Sequence, residues 1–156
     1  MITEANQVPL SPISFLMRSR RAYPTKPAVI DVDGTVVTYE ELARDADSIA
    51  GALRASGIAR GDRVAILDYN TRWLAAAHFG VPGAGAALVA LNTRLAPTEY
   101  RTILTHSQAR VLFVSPGLVR ALGATTAGEL PVERVVMLPG TEPVDLPGAV
   151  PLAEWL

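Results

Sequence analysis

The chain has 156 residues, 49% hydrophobic and 19% charged, which is apolar enough for one packed domain and argues against disorder. Its net charge is −1, from 14 basic and 15 acidic residues, so no basic stripe is available for a nucleic-acid backbone. The absence of cysteine removes disulfides, thiolate nucleophiles and cysteine zinc sites, and fits a reducing, cytoplasmic setting.

The first ten residues, MITEANQVPL, lack the basic start and apolar run of a secretory signal. Ser11 and Pro12 read as the N-cap and first position of a helix reaching about Ala22, with Ile13, Leu16 and Met17 inward and Arg18, Arg20 and Arg21 on a solvated face. AVIDVDG and VVTY are short strands around an Asp33-Gly34 turn, a hairpin. Thr38 and Glu41 form a capping box for a helix carrying Leu42, Ala46, Ile49, Ala50 and Leu53, with Gly57 as its C-terminal stop. RVAIL (63–67) is a strand, followed by a helix from Thr71 to about Phe79, a glycine turn and a buried strand at 86–91. Pro97 opens another helix with Tyr100, Ile103 and Leu104 on one face, and RVLFV (110–114) is the next strand. A helix near 118–122 and the strand RVVML (134–138) complete the series. From Asp62 onward strand and helix alternate with short connections, which predicts βαβ units and a mainly parallel sheet flanked by helices, an α/β fold. The tail from Pro139 to Leu156, with Pro139, Pro143, Pro147 and Pro151, reads as a linker or edge segment.

The run from Trp73 to Leu91 contains no Asp, Glu, Lys or Arg and approaches the ~20 residues of a bilayer helix. Gly80, Pro82, Gly83 and Gly85 interrupt it, so helix, turn and strand is the preferred reading and no membrane span is expected. GVPGAG is not a phosphate loop either. Ala86 stands where a Walker loop has lysine, and the order helix, glycines, strand is reversed relative to a dinucleotide fingerprint. Close helix-to-sheet packing and a tight turn are expected there. GATTAG (123–128) lacks lysine and reads as a polar surface turn. His78 and His106 have no partners at ligand spacing, which makes a metal site unexpected. No G-x-S-x-G elbow is present. Asp31 with Asp33, and Asp45 with Asp47, fall on a turn and an exposed helix flank, where solvation is the default. The residues alone thus give a parallel α/β domain without a complete active site.

The order of segments PISFLMRSRRAYPTKPAVI, VVTYEELARDADSIAGALRASGIARGDRVAIL, NTRW, AHFGVPGAGAALVALNTRL and HSQARVLFV resembles the N-terminal part of AMP-forming acyl-CoA ligases, members of the adenylate-forming superfamily. The family's T-Y-x-E-L helix start matches Thr38, Tyr39, Glu41 and Leu42. Its A-G-A-x-x-x-x-L-N-x-R-L segment matches Ala84 to Ala86 and then Leu91, Asn92, Arg94 and Leu95. AHFGVP with LNTRL is most similar to the branch acting on short- and medium-chain acids. The resemblance implies that residues 1–138 are an α/β subdomain of the large N-terminal domain and that 139–156 lead toward the family's phosphate loop. For a complete enzyme it implies ATP, Mg²⁺ and CoA, a carboxylic acid substrate, activation as acyl-adenylate and transfer to CoA. It also makes Arg94, in the N-x-R-L loop, a candidate contact to a CoA phosphate, with pairing to a carboxylate such as Glu99 as the alternative.

The family's Ser/Thr/Gly/Lys loop, its adenine and ribose motifs and its C-terminal domain with the catalytic lysine do not occur in these 156 residues. The chain is therefore expected to be a fragment, inactive alone, with no catalytic residue, no metal ligand and no tightly bound cofactor. A mean hydropathy of +0.26 adds the expectation of self-association through an exposed apolar face. The alternative is a non-catalytic α/β interaction or binding module derived from a ligase.

Overall fold

The computed structural model describes residues 11–142 and 144–156. The signal-peptide reading of residues 1–10 and the tail's Pro143 lie outside the described residues. The elements run α1 (Pro12–Ala22), β1 (Pro27–Ile30), β2 (Val36–Thr38), α2 (Tyr39–Ala55), β3 (Arg63–Leu67), α3 (Arg72–Gly83), β4 (Ala87–Ala90), α4 (Pro97–Ser107), β5 (Ala109–Val114), β6 (Arg134–Met137), β7 (Val150–Pro151) and α5 (Leu152–Trp155). Short 3-10 helices occupy Pro116–Leu122 and Ala127–Glu129.

β1 and β2 form an antiparallel hairpin. Gly34, at φ +84°, closes its loop, where Gly34 N–H donates to Asp31 O and Asp31 N–H to Thr35 O, both at 2.9 Å. The capping box at the start of α2 is complete: Glu41 N–H donates to Thr38 Oγ1 at 3.3 Å, and Thr38 N–H to Glu41 Oε2 at 2.8 Å. At its other end Gly57, at φ +79°, donates to Arg54 O, and Ile58 N–H donates to Leu53 O, each at 3.0 Å. This is a Schellman turn whose hydrophobic pair, Leu53 and Ile58, is buried.

The remaining strands form one parallel sheet in the order β4-β3-β5-β6-β7. Side chains alternate between its faces, as strand geometry requires. Val64, Ile66, Val111, Phe113 and Val136 meet α2 and α3 through Ile49, Leu53, Ala76 and Val81. Ala65, Leu67, Leu112, Val114 and Val135 meet α4 and the first 3-10 helix through Tyr100, Leu104, Leu118 and Leu122. The result is three layers, helix, sheet and helix.

Several sequence readings are corrected. The glycine turn after Phe79 is the last turn of α3, which continues through Pro82 to Gly83. A Cβ on Gly80 would lie 2.7 Å from Ala46 O and 2.9 Å from Ile49 Cβ, so this glycine serves close packing of α3 on α2 and not on the sheet. The tight turn is at Gly85, φ +88°. β4 is an edge strand with Ala87 and Ala90 exposed, while Leu88 and Val89 pack against the cores on the two faces of the sheet. The helix near 118–122 is a 3-10 helix. Arg20 is not merely solvated: it forks onto Glu40 at 2.7 and 2.9 Å and reaches Asp47 at 3.2 Å, fastening α1 to α2. Asp45 receives Arg72 of α3 at 3.0 Å. The tail contributes β7, which pairs with β6, and α5, whose Trp155 meets Phe113 edge to face at 5.4 Å. Among the described residues no helix is long and apolar enough to cross a membrane.

Candidate functional site at the carboxyl edge of the sheet

Because every strand of the sheet is parallel, all its carboxyl ends lie at one edge. The order β4-β3-β5-β6-β7 is the 2-1-3-4-5 order of doubly wound sheets, in which ligands bind in the crevice between the first and third strands, here β3 and β5. Backbone ladders fix where each loop departs. Leu91 N–H donates to Ile66 O at 2.9 Å, Ser115 N–H to Leu67 O at 3.1 Å and Leu138 N–H to Val114 O at 2.8 Å.

At the β3/β5 crevice sits Asp68, only 4% exposed. Its carboxylate accepts the hydroxyls of Ser115 and Thr71 and, at 2.8 Å, the N–H of Tyr69. Thr71 in turn accepts Trp73 N–H at 3.1 Å and caps α3. One buried carboxylate therefore ties the end of β3 to the end of β5 and to the start of a helix. Three donors offset the cost of removing its charge from water. Sequence reading did not find this cluster. Asp68 and Ser115 are 47 positions apart, and neither belongs to a motif. Around it, Tyr69 is 53% exposed and Asn70 is exposed.

The loop after β4 carries the predicted site residue. Asn92 Oδ1 accepts Arg94 N–H at 2.9 Å, and Glu99 Oε2 accepts Ala96 N–H at 2.7 Å. Glu99 is thus engaged with backbone, and Arg94 has no ion-pair partner among the described residues. Arg94 is exposed, with a planar fork of donors available to a phosphate or carboxylate.

The other sequence candidates lie elsewhere. His78 Nδ1 is 2.8 Å from Leu74 O on its own helix, and His106 is in the last turn of α4. Among the described residues no group of three His, Asp or Glu side chains is placed to hold a metal ion. The Asp68 carboxylate is already surrounded by donors. In GATTAG, Gly123 lies at φ +64° and a Cβ there would come within 2.7 Å of Pro97 Cβ, while the hydroxyls of Thr125 and Thr126 donate to Glu129. That segment is a packed turn.

The amino edge of the sheet differs. Arg110 bonds Asp62 at 2.6 Å, Glu133 at 2.8 Å and Gly57 O at 2.9 Å. Arg63 bonds the carbonyls of Ser107 and Gln108 at 2.6 and 3.1 Å. The hydrogen bonds that Arg110 donates to Glu133 and then to Asp62 raise its pKa. The Ala59 N–H, and after it Arg110, hold the Asp62 carboxyl below its ordinary value, and Arg110 does the same for Glu133.

Comparison with known proteins agrees with this architecture. Residues 16–150 match the AMP-binding enzyme family. Probable acyl-activating enzyme 22 of Arabidopsis thaliana is 39% identical over 72% of this chain and 21% of its own length. The peroxisomal trans-cinnamate:CoA ligase of Petunia hybrida is 38% identical over 70% of this chain and 19% of its own. The crystal structure of an anthranilate CoA ligase in complex with anthranoyl-AMP superposes with a TM-score of 0.83 at 27% identity, covering 95% of this chain and 28% of that one. The chain spans about a fifth of the length of the curated relatives it matches. With a family match over residues 16–150 and a parallel sheet in doubly wound order, the chain belongs to the AMP-binding enzyme family.

Proposed function

We propose that this chain is the N-terminal portion of an ATP-dependent, AMP-forming carboxylic acid–CoA ligase. The observation that carries the reading is the family match over residues 16–150, with relatives named as acid–CoA ligases. In the full-length enzyme a carboxylate attacks the α-phosphorus of ATP, giving acyl-adenylate and pyrophosphate. The CoA thiol then attacks the acyl carbon and AMP leaves. This chain contributes scaffold and one wall of the CoA path, where Arg94 contacts a CoA phosphate through its guanidinium. Mg²⁺ and the reacting groups of ATP are held by other parts of the polypeptide. The acid belongs to the short- and medium-chain class, and the compartment is cytoplasmic; the peroxisomal location in the Petunia relative's name is the competing one. The test is pyrophosphate exchange with ATP, Mg²⁺ and a panel of acids. The full-length protein is expected to be active and residues 1–156 alone inactive. Activity that copurifies with the short chain overturns the assignment of catalysis to other parts.

We also propose that the isolated chain self-associates. The open edge of β4 and the exposed Ile30, Val32 and Val36 of the hairpin support this. Light scattering that reports a monomer at high concentration contradicts it.

A further inference from the structure

Tyr100 is 0% exposed, among the largest fully buried side chains, and its ring belongs to the cluster formed by Leu104, Leu112 and Leu118. A buried ring at this position could be phenylalanine without loss of packing. Its hydroxyl needs a partner, and that partner is not on its own helix. It donates to the backbone carbonyl of Asn92 at 2.9 Å, eight residues back, in the loop that carries Arg94.

The loop is therefore held at three points. Tyr100 holds the Asn92 carbonyl from below. The Asn92 side chain folds over to accept Arg94 N–H at 2.9 Å. Glu99, beside Tyr100 in the first turn of α4, accepts Ala96 N–H at 2.7 Å. Every tether goes to backbone, and the Arg94 head is left without an ion-pair partner among the described residues. A fixed backbone under an unengaged guanidinium removes the loop's share of the ordering cost of binding an anion and leaves the side chain's own rotamer entropy to be lost when the ligand arrives.

We propose that Tyr100 is a positioning residue, which acts through Asn92 to set Arg94 for the phosphate of CoA. This rests on the reading of Arg94 given above. The test is a double-mutant cycle in the full-length ligase, with Tyr100→Phe, Arg94→Ala and the pair, each assayed separately for adenylation and for thioester formation. Arg94→Ala is expected to raise the KM for CoA about tenfold, and Tyr100→Phe about fourfold, with adenylation retained in both. In the double variant the KM is expected to equal that of Arg94→Ala alone, because the phenol has no further route to CoA. Asn92→Ala, which removes the second tether without altering a buried ring, is expected to behave like Tyr100→Phe. It keeps the test open if Tyr100→Phe does not fold. If Arg94→Ala raises the KM but the Tyr100 and Asn92 variants do not, or if their effects add to it, the positioning role is overturned and the Arg94 reading stands. If Arg94→Ala leaves the KM unchanged, both fall.

Discussion

The two ends of the parallel sheet use charge in opposite ways. At the amino edge Arg63 and Arg110 are consumed: Arg110 bridges Asp62 and Glu133, and Arg63 is spread over loop carbonyls. At the carboxyl edge the charge held inside the protein is Asp68, with its donors around it, and Arg94 stands outside on a tethered loop. Arg63 and Arg110 are thus fasteners at the amino edge, whereas Arg94 at the carboxyl edge has no ion-pair partner among the described residues. What separates them is whether the backbone or the guanidinium is held. This polarity follows from parallel topology, which gathers all carboxyl ends, and the loops that leave them, on one side.

The largest effect is expected from breaking the internal lock at the carboxyl edge. Asp68→Ala leaves the Ser115 and Thr71 hydroxyls and the Tyr69 N–H without their acceptor, which should cost about 3 kcal/mol in chemical denaturation. Asp68→Asn, which keeps an acceptor, should cost less than half of that. Equal losses in the two variants mean that the charge itself, and not the acceptor geometry, is what matters.

A smaller, pH-dependent effect is expected at the amino edge. Asp62 and Glu133 lie below ordinary carboxyl values of 3.8 and 4.5, so the unfolded state binds protons more readily. Their contribution is complete above about pH 5 and is lost as pH falls through the lowered folded values. The raised Arg110 acts in the other direction, and its contribution is lost only in strongly alkaline solution, as pH rises through its raised folded value. Arg110→Gln should therefore lower stability at neutral pH and flatten its fall between pH 5 and 3. An unchanged slope in that window removes the amino-edge network from the account. The smallest effect is expected for Arg94→Ala, which touches no ion pair among the described residues and should change stability by less than ~0.5 kcal/mol.

The fold class was legible in sequence because it rests on local signals. The capping box of Thr38 and Glu41, the Gly57 stop and the alternation of short apolar runs with helical periods are read within a few residues. What was illegible depends on distance along the chain. Asp68 reaches Ser115 across 47 positions, Arg20 reaches Glu40 across 20, and Arg72 reaches Asp45 across 27, so no window displays them. β7 is two residues long, too short for any period to register. The helical close of α3 was hidden because glycine and proline read locally as a turn, whereas here packing on α2 demands the missing Cβ. Arg94 is proposed through the family's loop pattern alone. An exposed arginine has no periodicity, and its tethers run through backbone atoms that sequence does not name.

One measurement tests the contrast between the edges most directly: Arg94→Ala and Arg110→Gln compared in the full-length protein, each by thermal unfolding and by the KM for CoA in the proposed ligase reaction. The account predicts a crossed result. Arg94→Ala should raise the KM about tenfold with Tm unchanged, and Arg110→Gln should lower Tm with the KM unchanged. If Arg94→Ala lowers Tm and leaves the KM alone, the loop at the carboxyl edge holds the fold and not the ligand, and the central claim is wrong.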